Sequence, residues 1–290
     1  MPGLGPSNAI ANLDGPYRPN RALDLGTRLA ECPAPGNLVW QDDHLLFSSG
    51  DAVLLLDGLH EHPEAEEILR FESAVTAMAA AKDGSLAIGL GPEGVAIVGG
   101  EHDGQVVSAL PGVRGATPAA LCFSDPHTLF ACMSAGAAGS LWRIDLRGAA
   151  PLCLAEDLAK PGGLLLRDLD TLIVSESARH RLLECATAQA RRPRVLVDGL
   201  PGAPAGLARG SGGVLWLAIP TLDRRDAGAS RGLVVRLGAG MAAEMSLHGS
   251  GEGRSGGAAS CLEVRGELIV ACREDNALIA VDLGYPSESE

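Results

Sequence analysis

Short apolar runs alternate with polar turns along this chain in a pattern that returns six times. Each return is an apolar run, a polar turn, a second apolar run, a Gly-containing loop and a third apolar run ending near Asp or Leu. Aligning the second runs on their first leucine gives Leu45, Leu86, Leu129, Leu172, Leu215 and Leu268, at spacings of 41, 43, 43, 43 and 53 residues. A repeat of about 40–50 residues made of short strands marks a β-propeller blade, whereas a helical solenoid would carry a 3.6-residue apolar period. The expected fold class is therefore all-β: a six-bladed β-propeller of four-stranded blades.

Each unit shows three strands directly. In the first these are residues 38–40, 45–49 and 53–57. A fourth strand is expected from residues 67–71, 106–110, 152–155, 194–197 and 241–247. A ring of blades must also close, because its end sheets would otherwise present unpaired edges. The alternating segment 21–28 is expected to close it as the outer strand of the last blade. Residues 19–285 then form the propeller, with 1–18 and 286–290 as tails rich in Pro, Gly, Ser and Glu.

Chain direction predicts where function collects. Antiparallel pairing returns the second strand of each blade to the face where the inner strand began. One rim therefore gathers the inner-strand starts and the loops around Gly50, Pro92, Ala135, Ser177, Arg224 and Glu274, while the opposite rim carries tight turns such as residues 82–84, 209–211 and 265–266. The longest loop on the first rim, residues 220–231, suits a cover over the axis.

Composition narrows the classes. The 290 residues carry a formal charge of −13, from 23 Lys+Arg and 36 Asp+Glu, which repels nucleic acid and anionic membranes. The first residues lack a basic and then apolar leader pattern, and no stretch approaches 18 uninterrupted apolar residues, so a soluble cytoplasmic protein is expected. Seven cysteines without a CxxC pair read as free thiols, with Cys132 and Cys272 as small core hydrophobes.

Three segments carry a resemblance. Residues 198–221 (DGLPGAPAGLARGSGGVLWLAIPT) resemble the motif of strictosidine synthase-like proteins and of the gluconolactonase and regucalcin (senescence-marker protein) group, and residues 160–183 and 35–50 are similar to its other recurrent motifs. The likeness implies a six-bladed propeller with a small-molecule site on the axis. It also implies, for the lactonases, a metal held by a Glu before the first inner strand, an Asn at the fourth and an Asp at the fifth. The matching positions here are Gly36 or Asn37, Gly162 and Ala205, and the catalytic Glu of the condensing enzymes falls on Ala259. Glycine and alanine offer no side-chain oxygen to a hard cation, so neither a metal nor another cofactor is expected.

The axial positions expected on this basis are Asn37, Thr76, Thr117, Gly162, Ala205 and Ala259. They would line a wide, weakly polar opening suited to a ligand bulkier than a sugar lactone, or one simply filled by water. Acid–base groups must then come from rim loops. Glu176 and His180 share one loop and form the candidate catalytic pair, the carboxylate orienting the imidazole; the alternative is a loop role for Glu176. Arg224, Arg225 and Arg273 are candidate substrate anchors for a carboxylate or carbonyl oxygen, beside Asn37, Thr76 and Thr117. His60 and His62 resemble a metal clip, but one loop with acidic neighbours is more often simply solvated. Ser48, Ser49, Ser134, Ser175 and Ser177 would need an adjacent base, and no nucleophile elbow is present. Trp40, Trp142 and Trp216 read as inter-blade core.

The functional expectation is a small-molecule enzyme acting on a fairly bulky organic substrate without the usual metal. Lactone or ester hydrolysis comes first, and metal-free condensation, cyclisation or lyase chemistry is the other enzymatic form. The alternative is a non-catalytic ligand-binding or scaffold propeller. Its partner is a small molecule, and its oligomeric state is open.

Overall fold

The computed structural model describes residues 13–57, 59, 63–108, 110–111, 115–222, 232–249 and 257–284. They form six four-stranded antiparallel sheets arranged as the blades of a propeller. The inner strands are Pro35–Gln41, Val75–Ala80, Thr117–Asp125, Pro161–Asp168, Leu207–Arg209 and Ala258–Val264. Among the described residues there is no α-helix, and short 3-10 turns such as Ser177–Arg179 and Ser211–Gly213 join strands.

The second strands read as unbroken apolar runs because both of their faces are buried. Successive side chains on a strand point to opposite sides, and here the two sides belong to different blade interfaces. Leu172 and Val174 pack toward the third blade while Ile173, between them, packs toward the fifth. Leu268 and Val270 face the fifth blade, whereas Ile269 and Ala271 face the first. Six apolar clusters result, one at each of the six blade interfaces. The core is thus a ring of apolar wedges rather than one central mass. Trp216 lies in the wedge between blades five and six and Trp142 in that between two and three, with Trp40 packed at the edge of the one between six and one.

Outer strands form at Glu64–Arg70, Val106–Val107, Leu152–Ala159, Arg194–Val197 and Ala243–Gly249. The sixth is supplied by the N-terminal segment, as expected, but by Thr27–Glu31 rather than residues 21–28. Thr27 pairs with Ala280 and Glu31 with Ala277. Residues 21–26 form a turn instead, in which Leu25 N–H donates to Arg21 O and Gly26 N–H to Leu23 O. Leu23 is fully buried in the wedge between blades five and six, while Leu25 is 85% exposed. The period-two alternation of this segment therefore reflects a single plug on a turn.

The chain before that turn also rests on the fifth blade. Ser246 Oγ donates to Pro16 O, Asn20 Nδ2 donates to Ser246 O, and His248 N–H donates to Asn20 Oδ1. Contacts with the propeller thus begin ahead of residue 19.

Candidate functional site

A bulge recurs near the start of the inner strands. Register slips between Gly36 and Val39, Val75 and Ala77, Pro118 and Ala120, Pro161 and Gly163, and Ala258 and Ser260. A bulge leaves one residue unpaired and re-aims its side chain. The residues set free include Asn37, Thr76, Ala119, Gly162 and Ala259, and all five line a cavity of about 240 Å³ at the mouth of the axis. Ala205 fills the corresponding place in the fifth blade, its N–H bonded to Ala218 O. Asn37 adopts a left-handed backbone (φ 47°), a conformation that asparagine tolerates better than most residues.

Five of the six expected axial positions are therefore occupied as read. The third is not: Ala119 lines the mouth, and Thr117 sits two residues earlier, paired with Ser134. The bulge after Pro118 turns Ala119 inward, a shift that the apolar pattern does not record.

Below the mouth the channel widens into a second cavity of about 350 Å³, which shares Asn37, Ala119 and Gly162 with the first. Its wall mixes apolar side chains such as Met78, Leu121, Leu164, Leu207 and Leu262 with polar groups that include Asn37, Arg209 and Ser260. The blades converge closely around it. A Cβ on Gly163 would lie 2.1 Å from the Ala205 carbonyl oxygen, so only glycine permits this approach.

Two charged side chains stand at the mouth, Arg273 and Glu274, both on the loop joining the second and third strands of the last blade. Glycines make room for each: a Cβ on Gly36 would meet the Arg273 guanidinium at 2.9 Å, and one on Gly257 would meet Glu274 Cγ at 2.8 Å. Arg273, a candidate anchor in the sequence, thus stands at the mouth with Glu274 beside it. Arg224 and Arg225, with His60 and His62, lie outside the described residues.

The expected catalytic pair is not brought to the axis. Glu176 is fully buried beneath its loop, away from both cavities. Its Oε1 accepts from Ala159 N–H at 2.7 Å and from Arg179 Nη1 at 3.0 Å, and its Oε2 accepts from Arg181 Nε. A carboxylate engaged in this way staples blade three to blade four. His180 ends the 3-10 turn in a left-handed conformation (φ 48°), and its carbonyl accepts from Leu200 N–H. The polar loop sequence pointed to chemistry, but the charges serve the loop itself. The serines behave similarly: Ser49, Ser175 and Ser177 donate to the carbonyls of Pro33, Ala205 and Pro204, and Ser48 Oγ accepts from Asn37 Nδ2.

The donors present do not make the axial metal site of the lactonase pattern. Among the described residues at the mouth, side-chain oxygens come from Asn37, Thr76 and Glu274 alone. Calcium takes 6–8 oxygen ligands, and Gly162, Ala205 and Ala259 contribute none from side chains.

No protein-family model and no curated protein sequence matches the chain. Solved structures do. A gluconolactonase from Xanthomonas campestris is 17% identical, covers 88% of each chain and superposes with a TM-score of 0.70. A luciferin-regenerating enzyme is 15% identical over 91% of this chain and 95% of its own, with a TM-score of 0.65. Regucalcin from Agrobacterium tumefaciens, a calcium-binding protein, is 14% identical over 88% and 92%, with a TM-score of 0.64. The shared property is the six-bladed propeller fold. At such identities the fold carries no activity with it, and the site must be argued from its own residues.

The seven cysteines are all free. Burial pushes the Cys185, Cys261 and Cys272 thiols up to about 12, and that of Cys132 well above its ordinary value. Such thiols are inert core residues.

Proposed function

We propose that the axial mouth hydrolyses a lactone or ester of a fairly bulky organic molecule, without an axial metal. The observation that carries this reading is the placement of Arg273 and Glu274 at the mouth of a chamber of about 350 Å³ whose wall is in part apolar. The apolar part of the substrate enters the chamber and leaves its carbonyl at the mouth. Arg273 donates to the carbonyl oxygen and stabilises the negative charge that develops there when water attacks the carbon. Glu274 accepts the proton released by that water. The C–O bond to the leaving oxygen breaks, the oxygen takes up a proton, and the products are an acid and an alcohol, joined in one molecule when the substrate is a ring. Arg273 then faces a carboxylate, which it binds by paired hydrogen bonds.

Acid release from a panel of lactones and esters of increasing apolar size tests this. Turnover should favour the larger members, persist in excess chelator, and fall by about a hundredfold in Arg273→Ala, with Glu274→Gln lowering kcat more than it changes KM. Loss of turnover on chelation, or full activity in both variants, overturns it. Binding without turnover is a second reading, favoured by the engagement of Glu176 and the rim serines in loop bonding. Calorimetric binding of the acid products with no hydrolysis of any ester would establish that reading instead.

A further inference from the structure

A second concentration of chemistry lies on the rim opposite the axial mouth, between blades two and three. Glu101 and His102 occupy the turn between the strand Val95–Val98 and the outer strand Val106–Val107. His127 occupies the turn between Thr117–Asp125 and Thr128–Ala135 of the next blade. The two imidazoles meet edge to face, with ring centroids 5.2 Å apart, and His102 Nε2 is 2.9 Å from His127 Nδ1. Glu101 Oε2 is 4.0 Å from His127 Nε2. One ligand atom from each of the three residues falls within 4.8 Å of the others.

We propose that Glu101, His102 and His127 form a site for one divalent transition-metal ion of the zinc class, bridging two blades and independent of the axial reading. Imidazole nitrogen is the donor preferred by zinc and its first-row neighbours, and a carboxylate oxygen completes a common three-residue set that leaves a position for water. Two nitrogens around one tetrahedral ion stand about 3.3 Å apart, given bonds of about 2.05 Å. The imidazole nitrogens already lie at 2.9 Å, so a small opening of the pair admits the ion. Each neutral ring can present a lone pair to it by carrying its proton on the other nitrogen.

The turns that bear the ligands are held independently of the rings. Asp103 Oδ1 accepts from Gly99 N–H, Asp125 Oδ1 accepts from His127 N–H, and Gln105 Nε2 reaches across to Leu146 O in the neighbouring blade. The donors are therefore presented by a pinned scaffold, which lowers the ordering needed to bind. Glu101 is largely exposed and His102 and His127 are half-buried, so an ion can enter from solvent.

The test uses the full chain, stripped with a chelator and titrated with Co²⁺ while visible d–d absorption is read, then with Zn²⁺ to displace it. Absorption should saturate at one ion per chain, and Zn²⁺ should raise the unfolding temperature because it binds the native state. His102→Ala and His127→Ala should lose the signal, and Glu101→Gln should weaken binding by about tenfold or more. Metal-free melting curves establish that the variants fold. If either alanine variant does not, His102→Gln and His127→Gln carry the same comparison. An absence of saturable absorption up to about 1 mM ion, or binding undiminished in both histidine variants, overturns the proposal.

Discussion

Between neutrality and about pH 5, above the range in which carboxylates titrate, acidification should destabilise this protein through His248. The imidazole is fully buried on the outer strand of the fifth blade, beneath the N-terminal segment. Ser246 Oγ, which donates to Pro16 O, lies within hydrogen-bond distance of His248 Nε2 at 2.8 Å. Burial disfavours the charged ring and lowers its pKa from 6.5 to about 4, despite a hydrogen bond to the Tyr17 backbone that acts in the opposite direction. The unfolded chain has no such restraint and binds a proton at ordinary acidity. Between about pH 6.5 and 4 the unfolded state therefore holds more protons than the folded one, and stability falls as pH falls. Above that window the residue contributes no slope. At 1.36 kcal/mol per pH unit, the loss is about 2 kcal/mol near pH 5 and about 3 kcal/mol once the folded pKa is passed. Urea unfolding of the wild type and His248→Gln, at pH 7.5 and again at pH 5, isolates the term. Glutamine can hydrogen-bond to Ser246 in either sense and cannot titrate. The wild type should lose about 2 kcal/mol more than the variant between the two conditions. Parallel losses would refute the reasoning, since the acid sensitivity would then belong to other groups.

Two further substitutions separate structural from functional roles. Glu176→Gln should lower stability by about 2–4 kcal/mol, because Arg181 and Arg179 lose a buried counter-charge, while leaving ligand binding at the axial mouth unchanged in the folded fraction; thermal melting and calorimetry read the two effects. Gly163→Ala should cost about 2 kcal/mol or more, because its Cβ would drive against the Ala205 carbonyl at 2.1 Å and push blade five outward, which a lowered Tm would register.

The number of blades and their strand order were legible because burial on two faces leaves an unmistakable mark. The middle of every second strand had to be apolar toward both faces, as Leu172, Ile173 and Val174 are, and that demand recurs once per blade. Which loops share a rim was also legible, since antiparallel pairing alone decides it. The precise axial residues were less so. Asn37, Thr76, Gly162, Ala205 and Ala259 followed from the motif positions that the family resemblance implied, but a single bulge replaced Thr117 by Ala119, and a bulge leaves no apolar signature. Glu176 misled for a related reason: a loop rich in Glu, Arg and His looks alike whether its charges face a ligand or one another.

Beyond the axial places of Gly162, Ala205 and Ala259, which the family resemblance supplied, the sequence by itself determined the repeat, the all-β class and the closure by an N-terminal strand. These follow from local rules: the period of side chains along a strand, the need to pair every edge, and the chemistry of each residue type. Only the tertiary structure decided that Leu23 would plug a turn, that Glu274 would stand with Arg273 over the channel, and that His102 and His127, 25 residues apart, would meet at 2.9 Å. Those are contacts between blades, and their distances depend on how six twisted sheets settle around one axis, which the order of residues within any single blade does not encode.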